Sequence, residues 1–391
     1  MKTRQETARV LRRAAFLTLA LASAGCVVSC AETNGGGGSS IAIMTWNLQL
    51  LFDGVEEGTE FRDFREEAGW TQEKYLGRLN VIARAISEMD PTPDIIALQE
   101  VESARVVEDL ASALSSRGYN WTHFARIPGM SLGVALISRF PLEKARAHSI
   151  DLDGDIAPRP ILEARVSLPR DAHLDLTKAH DADSYSLLLL VCHWKSKLGG
   201  ADQTESTRRA AARVILRRIR ELAQTNPNLP VIVLGDLNVT HDEFARGGST
   251  MMRSLMPDDP EAAQFAARYF GESTLGAGAP GKYLQQDFII VSHRKPPEAM
   301  YFPEGFLALY SPWTVEKEGG SFFFRNSWET IDHFLLSAQL FDGLGWEFYD
   351  SRALDVPPFV NADGLPNAYN PRIGRGISDH LPLMLFLRTR Q

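Results

Sequence analysis

The chain has 391 residues, 44% of them hydrophobic and 23% charged, with a formal net charge of −8. This mix excludes an intrinsically disordered or collagen-like chain, and the length suits one large or two ordinary domains. With three cysteines in all, a disulfide-stapled scaffold is also excluded, so an apolar core must hold the fold.

Residues 1–25 read as a secretory signal. Lys2, Arg4, Arg9, Arg12 and Arg13 form a basic start, and the apolar stretch from Ala14 to Ala24 is too short to span a bilayer as a helix. Ser-Ala-Gly then leads to Cys26, which resembles a bacterial lipoprotein cleavage site, with Cys30 as the alternative anchor. An ordinary secretory signal with an incidental cysteine is the other reading. Residues 26–40, with G-G-G-G-S-S, read as a flexible tether. A single domain is expected over 41–391. Without residues 1–25 the chain carries 36 Lys and Arg against 48 Asp and Glu, a net charge of −12. Such a field opposes a polyanionic substrate unless a cation or a local basic patch intervenes.

Strands are predicted at 41–48 and 94–98. Between them, Tyr75, Leu79, Ile82, Ile86 and Met89 recur at helical spacing, so 71–89 reads as a helix that Asp90, Pro91 and Pro93 stop. A second helix is expected over 103–116, then short strands at 121–125, 133–137 and 161–166. The apolar run at 185–193 reads as a buried strand, with Cys192 as a buried small hydrophobe. The helix at 203–224 sets Ala211, Val214, Ile215, Ile219 and Leu222 on one face and Arg209, Arg213, Arg217 and Arg220 on the other. That arginine stripe is either solvated or turned toward an anionic surface. A strand at 231–234 follows. Residues 241–310, rich in Gly, Pro and Met, read as an insertion, after which strands return at 330–336 and 383–387. Strands outnumber helices, and a mixed-sheet arrangement follows.

Five polar motifs end apolar runs: T-W-N-L with Asn47, L-Q-E with Glu100, G-D-L-N with Asp236 and Asn238, I-D-H with Asp332, and S-D-H with Asp379 and His380. Adjacent strands bring such ends to one rim. Carboxylate and amide oxygens gathered there suit Mg²⁺ or Mn²⁺. Asp236 and Asn238, two apart on an extended segment, are expected to point the same way, whereas His380 and Asp379 diverge. His333 alternates away from Asp332.

In this order, these motifs resemble the endonuclease/exonuclease/phosphatase superfamily, over about residues 43–387. G-V-A-L-I-S-R-F-P at 133–141 and C-H-W-K-S-K at 192–197 extend the likeness. The resemblance implies a four-layer αββα sandwich of α/β (α+β) class, with two mixed sheets flanked by helices. It also implies a Mg²⁺- or Mn²⁺-dependent phosphodiesterase. Glu100, Asp379 and Asn47 would form the metal shell. His193, Asp236, Asn238, Asp332 and His380 would be catalytic, with His380 paired to Asp332 and either Asp236 or His380 as base. Arg159 and Lys195 are candidate phosphate contacts. N-S-W-E-T-I-D-H lacks the Arg that inositol-polyphosphate 5-phosphatases carry after the aspartate, which disfavours that branch.

The first expectation is therefore an exported nuclease cutting DNA or RNA, attached to a membrane only through a lipid on Cys26, or else secreted. No protein partner is predicted. A sphingomyelinase-like or other small-phosphoester hydrolase is the second reading, and a catalytically silent surface-binding module the third. Phe322, Phe323 and Phe324 could stack bases, although in-and-out packing accounts for at least one of them.

Overall fold

A computed structural model describes residues 39–169, 185–270, 286–297, 299–313 and 319–389. The signal at 1–25, both candidate anchors and nearly all of the 26–40 tether lie outside the described residues.

The first half opens with β1 (Ser40–Leu51), then α1 (Gln72–Ser87), β2 (Ile95–Val101) and α2 (Ala104–Ala113). Thr71 and Ser103 cap the two helices, accepting hydrogen bonds from the backbone N–H groups of Lys74 and Val106. β3 (Trp121–Ala125), β4 (Gly133–Ser138) and β5 (Leu142–His148) follow, then a small hairpin of β6 (Asp151–Leu152) and β7 (Asp155–Ile156). β8 (Ile161–Ser167), β9 (Ser186–His193), α3 (Glu205–Thr225) and β10 (Val231–Asp236) come next.

Residues 241–310, expected as an insertion, are partly described. Their described part holds α4 (Glu243–Arg246), β11 (Leu255–Pro257), α5 (Pro260–Phe270), β12 (Ile289–Ser292) and β13 (Ala308–Tyr310). The three strands extend a main sheet, and a separate apolar cluster around Phe244, Phe288 and Phe302 supports them. Short strands spaced by Gly and Pro carry too little periodicity to be read from sequence. The chain ends with β14 (Phe322–Phe324), β15 (Ser327–Glu329), β16 (Asp332–Leu336), β17 (Trp346–Ala353) and β18 (Leu383–Thr389).

The strands form a six-stranded sheet ordered β17-β18-β1-β2-β4-β3 and an eight-stranded sheet ordered β11-β12-β13-β16-β10-β9-β8-β5. Alternation along the strands sets the layers. On β1, Ile41 and Ile43 enter the core shared with the second sheet, whereas Met44, Trp46 and Leu48 face Tyr75, Leu79, Ile82 and Leu110 of α1 and α2. On β9, Leu187, Leu189 and Val191 face the first sheet, and Leu188, Leu190 and Cys192 meet Ala211, Ile215 and Ile219 of α3. Helices, sheet, sheet and helix thus make four layers, as the resemblance implied.

The arginine stripe of α3 is largely engaged within the protein, with Arg217 exposed. Arg209 bonds Asp287 at 2.8 Å, Arg213 lies 3.7 Å from the same carboxylate, and Arg220 bonds Gln286. β17 escaped sequence reading because it is an edge strand with a bulge between Phe348 and Asp350, which breaks its alternation.

Candidate active site

Strand register assembles the site. Asp236 pairs with His193 on one side and Asp332 on the other, so three functional side chains sit abreast at the end of β9, β10 and β16. Ile232 and Leu234, and Leu189 and Val191, lie in the inter-sheet core. Asp236 and His193 continue that alternation and point into the same space, as Asp332 does two residues before Phe334. From the first sheet, Asn47 follows Ile43 and Thr45 in the same phase. The site is the polar end of the inter-sheet core.

Three backbone departures complete the rim. Glu100 has φ of 61° at the register shift between Gln99 and Val101 in the β2–β4 pairing, which swings its carboxylate out of strict alternation. Gly235 of G-D-L-N has φ of 125°, and a Cβ there would stand 2.1 Å from the Cys192 carbonyl oxygen, so glycine is required. Asn238 has φ of 54°. It therefore does not extend the strand beside Asp236, as its spacing had suggested. Its backbone N–H donates to Asp236 Oδ1 at 2.9 Å and its Nδ2 donates to the Trp194 carbonyl at 3.2 Å.

His380 Nδ1 bonds Asp332 Oδ2 at 2.8 Å, and both residues are buried. Burial pushes the imidazole down, but Asp332, Asp379 and Asp236 outweigh it and raise His380 to about 10. Asn47 Nδ2 donates to Asp236 Oδ2 at 3.0 Å. Asp236 is raised to about 7, first by burial and then by the facing Asp332. Like charges across strands are costly, and the His380 cation and the Asn47 amide offset that cost here. His193 Nε2 stands 3.5 Å from Glu100 Oε1 and 3.6 Å from Asp236 Oδ2, too far for good hydrogen bonds. Burial holds His193 well below the ordinary histidine range, so it is neutral.

Glu100 Oε2 accepts from the Leu50 N–H at 2.9 Å. Burial raises Glu100, Arg159 opposes this, and Asp379 raises it further; Asp379 is itself raised, chiefly by burial. Two hard carboxylates that repel each other are a donor set that fits a divalent cation; Asn47 turns its Nδ2 toward the acids, while its Oδ1 accepts from the Gln49 N–H at 3.0 Å. Asp236, Asp332 and His380 also place ligand atoms within 4.8 Å of one another. Because His380 Nδ1 is already committed to Asp332, an acid–base pair describes that trio better than an ion cage. Arg159 donates to the Trp194 carbonyl at 2.5 Å and lies in electrostatic reach of Glu100 and Asp236. Lys195, half-buried, neighbours Arg159 rather than the acids.

Several contributors were not singled out from sequence. Thr45 and Gln99, both fully buried, bond each other beneath the site at 3.1 Å. Trp46 Nε1 donates to the His380 carbonyl at 2.9 Å, and Ser378 Oγ donates to the Asn47 carbonyl at 2.7 Å. Each lies inside or beside a quoted motif, which was the available signal. Arg78, mid-helix in α1, had none. Its guanidinium, 3% exposed, donates to the carbonyls of Leu48, Gln49, Leu50 and Ile377 and sits 3.8 Å over the Tyr369 ring. His333 turns away from the site, as alternation required; it bonds the Val239 carbonyl at 2.7 Å, and burial lowers it to about 4. Glu102, beside the L-Q-E motif, is buried. It accepts from the Asp53 N–H at 2.6 Å, and burial raises it to about 8.

Carboxylates, amides and histidines thus meet at one rim of a two-sheet sandwich, an arrangement suited to acid–base and metal-assisted hydrolysis. The chain belongs to the endonuclease/exonuclease/phosphatase family, whose model matches residues 42–249. No curated protein matches its sequence. Among solved structures it is similar to an endonuclease/exonuclease/phosphatase family protein from Bacteroides thetaiotaomicron, at 16% identity over 90% of this chain and 99% of that one, TM-score 0.47. It is also similar to truncated Caenorhabditis elegans TDP2, at 15% identity over 89% and 97%, TM-score 0.48. The human Nocturnin catalytic domain with bound sulfate is similar at 17% identity over 89% and 94%, TM-score 0.47. The family makes the chain a metal-dependent phosphoesterase.

Proposed function

We propose that this phosphoesterase is a nuclease that cleaves the phosphodiester bonds of DNA or RNA outside the cytoplasm. The observation that carries the reading is the convergence of His193, Asp236, Asp332 and His380 with Glu100 and Asn47 at one rim. Glu100 and Asp379, with Asn47 alongside, would hold Mg²⁺ or Mn²⁺. A bound ion of this kind polarises a phosphoryl oxygen and stabilises the leaving oxygen. His380, held by Asp332, presents its free nitrogen as a donor to the phosphoryl group. Asp236, its carboxylate aligned by Asn47 and by the Asn238 N–H, orients a water for in-line attack and takes its proton. The new P–O bond forms as the bond to the leaving oxygen breaks. His193 and Arg159 donate to the equatorial oxygens, where charge builds, and Lys195 contributes a cation at the edge.

The test is turnover of plasmid DNA, structured RNA, bis-p-nitrophenyl phosphate and sphingomyelin, with Mg²⁺, Mn²⁺ or EDTA. The reading expects nucleic-acid cleavage that EDTA abolishes. Cleavage of only the small ester or the lipid replaces it with the small-phosphoester reading, which the net charge of −12 after residue 25 favours. No turnover with either metal leaves a binding module.

Export and a lipid anchor on Cys26 are part of the same proposal. Cys26→Ser is expected to move the protein from the membrane fraction to the soluble one, as measured by fractionation and blotting. If only Cys30→Ser does so, the later cysteine is the anchor.

A further inference from the structure

Phe322, Phe323 and Phe324 form one strand of the β14–β15 hairpin, closed by Arg325 and Asn326 with φ of 49° and 62°. Two left-handed residues are the signature of a type I′ turn, the tight loop whose twist matches its flanking strands. The hairpin is anchored at its base. Leu381 N–H donates to the Ser321 carbonyl at 2.7 Å, Ser321 Oγ accepts from Asp332 N–H at 3.2 Å, and Lys197 lies 3.5 Å from Glu329.

Alternation divides the three phenylalanines. Phe323 packs edge-on against Trp328 at 5.3 Å, and Trp328 lies on the core beneath α1 and α2. Packing explains it. Phe322 and Phe324 take the opposite face and join none of the core clusters among the described residues. The Phe322 ring instead lies 4.6 Å from the His380 ring, tilted by 30°. Phe324 stacks on Phe322 at 6.0 Å and 18°, and the Arg325 guanidinium sits 5.1 Å from the Phe324 centroid. A column of flat groups therefore runs outward from the imidazole: His380, Phe322, Phe324, Arg325. Its outer ring, Phe324, is 48% exposed.

We propose that this column is a base-stacking subsite, in which Phe324 and Arg325 receive the nucleobase adjoining the scissile phosphate while Phe322 fixes the His380 ring. The inference rests on the nuclease reading and deepens it. A planar base suits near-parallel rings and a guanidinium plane, and stacking accepts every base. Phe322 is a positioning residue that acts through His380, whereas Phe324 touches substrate.

The experiment uses three chromogenic diesters with Mg²⁺ or Mn²⁺: the 5′- and 3′-p-nitrophenyl phosphates of thymidine, and methyl p-nitrophenyl phosphate, which has no base. The parent protein is expected to favour at least one nucleoside ester over the methyl ester. In Phe324→Ala the ratio of the two kcat/KM values should fall about tenfold, the range of one lost base stack. Phe324→Trp should restore the ratio, and Phe324→Leu, apolar but not aromatic, should not. Circular dichroism of each variant checks that the hairpin change leaves the fold in place. A parent with no nucleoside preference, an equal loss on all three esters, or full rescue by Leu overturns the subsite while leaving the phosphodiesterase standing. No turnover of any ester by the parent removes the phosphodiesterase reading and the subsite with it.

Discussion

At the scale of single residues, the site separates into two jobs that mutation can tell apart. Glu100 faces Asp379 with a carboxylate suited to a cation, and His380 is tied to Asp332 at 2.8 Å. Glu100→Ala is expected to weaken Mn²⁺ binding and lower turnover at least about a hundredfold, since a bound metal contributes several kcal/mol to such reactions. His380→Ala should lower turnover by a similar factor, about two orders of magnitude, while metal affinity stays close to that of the parent. Calorimetric titration with Mn²⁺ beside steady-state assays reads both. An equal affinity loss in the two variants would contradict the division of roles. Glu100, Asp236, Asp379 and His380 were legible because each follows or precedes an apolar run in a short motif. Gln99 was passed over within the same L-Q-E motif, because its burial against Thr45 depends on a neighbouring strand.

At the scale of elements, Arg78 shows how a helix shapes a site it does not enter. Gln49 and Leu50, near the end of β1 where its register with β2 shifts, have φ of 51° and 65°, so the strand curls there and turns its carbonyls inward. Those oxygens lack strand partners, and one guanidinium from α1 gathers them together with the Ile377 carbonyl of the Asp379 loop. Arg78→Met should leave buried carbonyls unpaired and cost about 3 kcal/mol, measured by urea unfolding. It should also weaken Mn²⁺ binding, since the two loops carrying Glu100's backbone partner and Asp379 lose their tie. Arg78→Lys should fall between, because an ammonium has no fork to span four oxygens. Unchanged metal binding in Arg78→Met would confine the residue to stability.

Across the whole molecule, stability comes from apolar layers, with a few buried ion pairs joining them. Glu163 on β8 accepts from Arg218 of α3 at 2.7 and 2.8 Å and lies 2.7 Å from His148 of β5. Burial pushes its carboxyl up, but hydrogen bonds from His148 and Arg218 prevail and hold it at about 2. A depressed carboxylate contributes stability that is fully present above its unfolded pKa, near about 4.3, and is lost as pH falls toward its folded value. Glu163→Gln should therefore cost about 2 kcal/mol at pH 7. The difference from the parent should shrink as pH drops from about 4.3 toward 2, and a gap that stays constant across that window would remove the ion pair as its source.

The sequence by itself determined the mixed-sheet pattern of elements, because period-two and period-3.6 spacing of apolar residues records which face of each element is buried, and its short polar motifs carried the family resemblance that implied the four layers. Tertiary structure alone decided that Asp236 stands between His193 and Asp332, that Asn238 leaves the strand line, that β11, β12 and β13 extend a sheet, and that Phe322 meets His380 while Phe323 meets the core. Strand order, register and positive-φ turns set those contacts. They depend on pairings between segments up to a few hundred residues apart, and no local periodicity encodes which segment lies beside which.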